Sequence, residues 1–338
     1  MKDPVAGESI ALSDEVMTTN QPLALMTERH QSRSQSTNSV EVRRVYQRIL
    51  AGASVRSRDV ELGASGHVHL LEVGSGSPVL LLHGTGDAAG IFLPLLNELH
   101  GVRAIAPDLP GRGLSAPIDL PRHQYRQRAV AWVDRLLDAL ALDNTALLGH
   151  SGGGLWALWY ALAHPDRVKR LVLIGVPTLP KTRCPLPHRV MAMPGVGDAV
   201  SRLVTPSPKS LLQFANIMGE KETLARHPDL IDLLVAGRLN PVARRVATEE
   251  FRLLISPVAL LTPCGFRRGS RVRPDELRQV AMPTLVIWGD RDPLGGVSVA
   301  QAVTDLIPHA RLEVLPAGHA PWLGHPAQIA TAVLDFMR

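Results

Sequence analysis

The chain has 338 residues, 45% of them apolar and 20% charged, enough to bury a large core in one domain or two. Its 36 basic and 31 acidic residues leave a net charge of +5, with no long basic run interleaved with aromatics, so the surface reads as solvated and nucleic acid is not an expected partner. No stretch reaches the roughly 18 apolar residues of a membrane span, and Lys2 is not followed by an apolar signal region; a soluble, cytoplasmic protein is expected.

Residues 1–37 are rich in Ser, Thr, Gln and acidic residues without sustained periodicity, which predicts a disordered tail. Asn38, with Glu41 three residues on, can cap a short helix whose apolar positions Val42, Val45, Tyr46, Ile49 and Leu50 turn towards the main body. From Ala53 strands and helices alternate. Two strands are expected within 60–73, around Gly63 to Gly66, then a strand at 78–82 so apolar that both its faces must be covered. A helix over 88–100, a buried strand at 102–106 and a long amphipathic helix over 122–142 follow. Residues 146–148 form a strand leading into Ser151, with a helix over 154–164 and a strand over 168–176. This alternation predicts an α/β fold with a doubly wound, mostly parallel sheet of about eight strands.

The rhythm breaks after Pro177. Helical patterns without a convincing strand occupy 189–204, 208–218, 228–239 and 241–260, so 178–275 reads as a helical insertion. Alternation resumes with a strand at 283–288, a helix over 297–306, a strand at 311–315 and a closing helix over 326–337. The expected division is therefore a tail (1–37), the first part of the core (38–177), the insertion (178–275) and the second part of the core (276–338). Cys184 and Cys264 stand in neither C-x-x-C nor metal-ligand spacing, so no zinc site is implied. Two free thiols are the simpler reading and one bridge between them the alternative.

Gly149-His150-Ser151-Gly152-Gly153 matches G-x-S-x-G, in which a serine sits on a sharp turn between a strand and a helix. Neighbours without a β-carbon let the chain turn that tightly, and the helix that follows aims its unpaired N–H groups at the hydroxyl. A serine hydroxyl becomes a useful nucleophile only when a base takes its proton, and the base needs a third group to hold its tautomer. In a parallel sheet such partners stand on loops after the carboxyl ends of strands. Asp290 and Asp292 follow one late strand and His319 follows the next, in the order Ser, Asp, His. His309 and His325 are worse placed, and His150 is expected to point away from the serine.

Taken together, 53–177 and 276–338 resemble the α/β-hydrolase superfamily, with 178–275 in the place of its variable cap. The matching pieces are HGTG at 83–86, DLPGRGLS at 108–115, GHSGGG at 149–154, WGDRDP at 288–293 and GHAPW at 318–322. The resemblance implies Ser151 as nucleophile and His319 as general base and then acid. Asp292, favoured over Asp290 by the spacing G-x-x-D, would be the orienting acid. It also implies an oxyanion hole of the Gly152 and Thr85 backbone N–H groups, no metal, and no organic cofactor. Asp108, Gly111 and Gly113 read as turn-builders, and Trp156, Trp159 and Tyr160 as core.

Two competing readings are weaker. Gly84-Thr85-Gly86-Asp87-Ala88-Ala89 fits G-x-G-x-x-A, the outline of an NAD(P)-dependent dehydrogenase. Asp87, however, would repel a pyrophosphate, and that reading leaves the later motifs unexplained. A non-catalytic protein of this fold should lack one of the three residues, and all three are present. The expected function is thus hydrolysis of a carboxylic ester of a small, largely apolar substrate molecule through an acyl-enzyme. The insertion offers Leu211, Leu212, Phe214 and Ile217, then Leu253, Leu254, Val258 and Leu260, as apolar lining. The alternatives on the same three residues are hydrolysis of a C–C bond, a lactonase, or haloperoxidase-like perhydrolysis. Serine at the elbow argues against dehalogenase and epoxide-hydrolase chemistry. The arginines 267, 268, 271 and 273 read as a solvated loop, with an anion contact as the alternative.

Overall fold

Eight strands form one sheet in a computed structural model that describes residues 39–338. They are β1 (Arg56–Glu61), β2 (His67–Val73), β3 (Ser77–Leu82), β4 (Val102–Pro107), β5 (Thr145–His150), β6 (Val168–Ile174), β7 (Thr284–Gly289) and β8 (Ala310–Leu315). Their order is β1-β2-β4-β3-β5-β6-β7-β8. β1 and β2 pair antiparallel, β2 joins β4 antiparallel, and every later pairing is parallel. The tail expected over 1–37 and the cap at Asn38 lie outside the described residues.

The strand residues explain this placing. Every residue of β5 and β7 is buried, as parallel strands with helices on both faces require. Along β3, Leu80 and Leu82 face one apolar cluster while Val79 and Leu81 face the other, following the period of two. The first cluster is completed by the helices Tyr125–Ala139, Ser151–Ala163 and Val297–Thr304. The second is completed by the helix over 39–49, the segment around Leu95 and the helix Pro326–Met337. Trp156, Trp159 and Tyr160 are buried in the first cluster, as core residues should be.

Several helices are shorter than their patterns suggest. The pattern over 88–100 yields a 3-10 turn, Ala89–Phe92, and the single helical turn Leu93–Leu96, since Gly101 at φ +80° starts the turn into β4. The pattern over 189–204 splits into Leu186–Met191 and Val196–Leu203 at Pro194-Gly195, where Gly195 has φ +76°. Pro241–Leu254 ends early because Ile255 turns extended and bridges Phe266. Helices Pro208–Ile217 and Pro228–Leu239 form as expected, and a short one, Lys221–Ala225, stands between them.

The insertion is fastened to the sheet by buried polar contacts. Glu250, from the helix Pro241–Leu254, pairs with Arg112 on the loop after β4, both side chains being 1% exposed. The same carboxylate accepts from Tyr125 Oη at 2.7 Å, and Tyr125 in turn accepts from Trp156 Nε1 at 2.9 Å. Removing one member of such a pair strands the other charge in the core. Glu250→Ala is expected to cost roughly 3–5 kcal/mol of stability in chemical denaturation. A loss below about 1 kcal/mol, the worth of an exposed pair, would show that the contact is not a fastening.

Among the described residues no helix is long and apolar enough to cross a membrane. Cys184 is buried, Cys264 half-buried, and both thiols are free; the Cys184 amide donates to the Cys264 carbonyl at 2.8 Å.

Candidate functional site

Four loops leave the carboxyl ends of β3, β5, β7 and β8, and they carry the residues singled out in the sequence. Ser151 follows β5 directly and opens the helix Ser151–Ala163. Its φ is +50°, in the left-handed region that a side chain seldom adopts. Such strain persists only where the surroundings over-determine it. The strand before it and the helix after it are both buried almost throughout. Gly152 has no room for a side chain: a β-carbon there would stand 2.5 Å from Thr85 Oγ1 and 3.4 Å from the Thr85 amide nitrogen. The backbones of Gly152 and Thr85 are thus brought together beside Ser151.

Asp292 lies three residues past the end of β7 and His319 four past the end of β8. Their side chains meet at 2.9 Å, between Oδ2 and Nδ1. A carboxylate can only accept, so Nδ1–H is the donor, and in the neutral ring Nε2 keeps its lone pair. Asp292 is itself held, its Oδ1 accepting from the Leu294 amide at 2.8 Å. Asp290, the rival, is exposed and lies 3.7 Å from the Arg291 guanidinium instead. The sequence did not mark Gly175, yet the His–Asp contact depends on it. At φ +53°, a β-carbon on Gly175 would come within 2.9 Å of both Asp292 Oδ2 and His319 Nδ1.

His150 sits against His319. Its ring packs on that of His319, with centroids 4.7 Å apart, and edge-on to Trp322 at 4.6 Å. Its Nε2–H donates to the His319 carbonyl at 3.1 Å, so it props the loop carrying that histidine and lines the same cavity as Ser151. Burial, and the neighbouring His319, hold the His150 imidazole well below its usual range, hence neutral. His83 is a turn-builder: its Nε2 accepts from the Leu109 amide at 2.9 Å while Nδ1 donates to the Gly84 carbonyl at 2.9 Å. Asp108 is one too, accepting from the amides of Ala89 and Leu114 and from Tyr46 Oη.

Ser151, His319, Thr85 and Gly84 share a cavity roofed by the insertion. Leu211, Phe214, Met218 and Leu254 line it, as part of the expected apolar stretches; Val258 and Leu260 are exposed elsewhere. The walls also bring four polar side chains that sequence reasoning did not assign: Asp87, His188, Glu220 and Arg238. No periodicity marks them, because they come from separate loops and helices and meet only in the fold. Glu220 Oε1 accepts from the Ala320 amide at 2.9 Å, beside His319. His188 is wedged between Phe214 and Phe251, each ring 5.3 Å away, and burial takes its pKa down to about 4. The arginines 267, 268, 271 and 273 do not line this cavity. Arg267 and Arg271 instead donate to the carbonyls of Arg252 and Phe266.

The dinucleotide-like loop has no use as a phosphate cradle. After Asp87 the chain enters a 3-10 turn, not a long helix whose amides could collect on an anion. Among the described residues no group of three His, Cys, Asp or Glu side chains is placed to hold a metal ion.

Burial alone pushes the His319 pKa down, but Asp292, by its charge and hydrogen bond, and then Asp87 and Glu220 more than reverse this. The net direction is up. An imidazole with a raised pKa is charged below that value and becomes a base only above it. Any reaction that needs neutral His319 should therefore lose rate on the acid side with a midpoint above the ordinary value of about 6.5. The kcat/KM profile of the free protein tests this; a flat profile between pH 5 and 8 would remove His319 from the chemistry.

A family model for the alpha/beta hydrolase fold matches residues 77–326. A 2-hydroxy-6-oxo-6-phenylhexa-2,4-dienoate hydrolase of Burkholderia cepacia is 28% identical over 276 residues, covering 80% of this chain and 91% of that one. A pimeloyl-[acyl-carrier protein] methyl ester esterase of Shewanella woodyi is 27% identical over 286 residues, covering 81% of this chain and 98% of its own. Among solved structures, naproxen esterase (carboxylesterase NP) of Bacillus subtilis superposes with a TM-score of 0.69 at 22% identity. The match covers 89% of this chain and 98% of that one.

Proposed function

We propose, from the premise that the chain belongs to the α/β-hydrolase family, that it is a serine hydrolase cleaving a carboxylic ester of a small, largely apolar substrate. One observation carries the reading. His319 is fixed by Asp292 in the tautomer of a base, and it opens on the same cavity as a serine held at positive φ.

In this scheme Ser151 Oγ attacks the acyl carbon as His319 Nε2 takes its proton, giving a tetrahedral intermediate. The N–H groups of Gly152 and Thr85 hold the oxyanion; one such donor is typically worth on the order of 10²–10³ in rate. The imidazolium is steadied by Asp292 and gives its proton to the leaving alcohol. Water, deprotonated by the same imidazole, then releases the acid from Ser151. The insertion acts as a cap, and its apolar lining favours an aliphatic or aryl acyl group.

A C–C bond hydrolase is the second reading, favoured by the Burkholderia cepacia relative. A substrate panel separates the two. Turnover of p-nitrophenyl acetate to octanoate by the native protein, with a maximum at intermediate chain length, is the expected result. Rapid cleavage of a 2-hydroxy-6-oxodienoate, with ester turnover more than about 10²-fold slower, would replace ester by C–C hydrolysis; a factor of that size is about 2.7 kcal/mol of transition-state preference. A lactone preferred by a similar margin would make it a lactonase.

A further inference from the structure

The loop that carries His319 is held by the insertion as well as by the sheet. The His319 amide donates to the Met218 carbonyl at 2.9 Å, and the next amide, that of Ala320, donates to Glu220 Oε1 at 2.9 Å. Two glycines let the backbones meet. A β-carbon on Gly219, at φ +74°, would stand 3.0 Å from the Gly318 α-carbon, and one on Gly318 would stand 2.3 Å from the Met218 carbonyl oxygen. Further along, His227 Nε2–H donates to the Leu323 carbonyl at 2.9 Å. On the opposite side the His319 carbonyl is taken by His150.

Glu220 is the charged member of this joint. It is 3% exposed and stands between the helices Pro208–Ile217 and Lys221–Ala225, where its own amide donates to the Ala215 carbonyl at 2.7 Å. Thr223 Oγ1 donates to the second carboxylate oxygen. Burial raises the Glu220 pKa, while Thr223, the Ala320 amide, the His319 charge and the Gly318 amide all favour the ionised form. A buried carboxylate is costly unless such donors hold it, and an apolar side chain would fill the same space without that cost. The segment 218–224 therefore meets the histidine loop on one side. On the other, Met218, Glu220 and Leu224 line the cavity that holds Ser151.

We infer that Glu220 is a positioning residue for His319: from the insertion, its carboxylate sets the backbone of the loop after β8 and with it the reach of the imidazole towards Ser151. This rests on the serine-hydrolase reading for the reaction, whereas the placing and ionisation of His319 can be read without turnover. The charge has a second effect. His319 is faced by Asp292 from the loop after β7, Asp87 from the loop after β3, His150 from the elbow, and His188 and Glu220 from the insertion. Burial keeps His150 and His188 neutral at pH 7, so the carboxylates decide the sign, and Glu220 adds to the lift that Asp292 leads.

The test compares Glu220→Gln and Glu220→Ala with the native full-length chain, using p-nitrophenyl butyrate. Glutamine can keep an oxygen on the Ala320 amide and turn its NH2 to Thr223 Oγ1; alanine can do neither. Per folded molecule, Glu220→Ala should lose roughly 10- to 100-fold in kcat with KM within about threefold, since misplacing a reacting group by about 1 Å costs up to about 10². Glu220→Gln should recover most of that loss, yet move the acid limb of kcat/KM to lower pH, because an anion that favours the imidazolium is gone. A kcat in Glu220→Ala within about twofold of native, or an acid limb left in place by Glu220→Gln, would overturn the assignment. His319 is also read directly, by NMR titration of protein labelled in the histidine ring nitrogens, its signals identified by their absence from His319→Gln. Its midpoint should fall in Glu220→Gln, and the Nδ1–H signal of its bond to Asp292 should persist there and weaken in Glu220→Ala. If no ester is turned over, the hydrolase reading fails while this titration still decides the role of Glu220. An equal midpoint in the native and glutamine proteins would then remove it, and the same comparison decides if the alanine variant does not fold.

Discussion

Ser151→Ala is expected to remove turnover by roughly 10⁴–10⁶-fold while leaving the fold in place. The size follows from the loss of the only atom that forms the covalent intermediate in this scheme. What remains should be the modest catalysis of the oxyanion donors and of substrate binding, which Gly152 and Thr85 still provide. The substitution removes one oxygen from a half-buried side chain, so melting should shift little. Alanine at φ +50° is no worse placed than serine. Residual turnover within about tenfold of the native rate would mean that another group attacks the substrate.

Asp292→Asn is the second large effect, with kcat expected to fall by about 10⁴. Asparagine is nearly isosteric and leaves Leu294 a carbonyl oxygen to donate to, but it can present its amide to His319 Nδ1. That turns the ring to the tautomer with its proton on Nε2, facing the serine with nothing to accept. The pH profile should move as well. In the native protein burial pushes the His319 pKa down, and the Asp292 charge and hydrogen bond do most to lift it. With them gone the imidazole deprotonates at lower pH, so the acid limb of kcat/KM moves down even as the plateau collapses. A plateau loss without that movement would point to misplacement of the loop after β7, and Asp292→Glu would then fare no better.

Both effects concern residues legible in the sequence, and the reason is local. A tight strand-to-helix turn demands glycines around one serine, and a triad partner must sit just past a strand end, so 149–154, 288–293 and 318–322 each carry their signal within six residues. The sheet was legible because buried parallel strands read as short apolar runs: 78–82 becomes Ser77–Leu82 and 283–288 becomes Thr284–Gly289. Helix lengths in the insertion were less so. The apolar spacing over 189–204 is continuous, and only the backbone demand at Pro194-Gly195 divides it. Least legible were residues whose roles depend on meeting across the chain. Glu250 finds Arg112 138 positions away, and Gly175 matters only because Asp292 and His319 close over it. His150 is of the same kind: its contact with the loop after β8, through the His319 carbonyl, exists only in the fold.

Attack by Ser151 is tested by reaction with a fluorophosphonate followed by intact-mass and peptide analysis. One adduct per chain is expected, on Ser151, with ester turnover lost in step with labelling and no adduct on Ser151→Ala. Full activity in a fully labelled protein, or an adduct carried by any other residue, would contradict it.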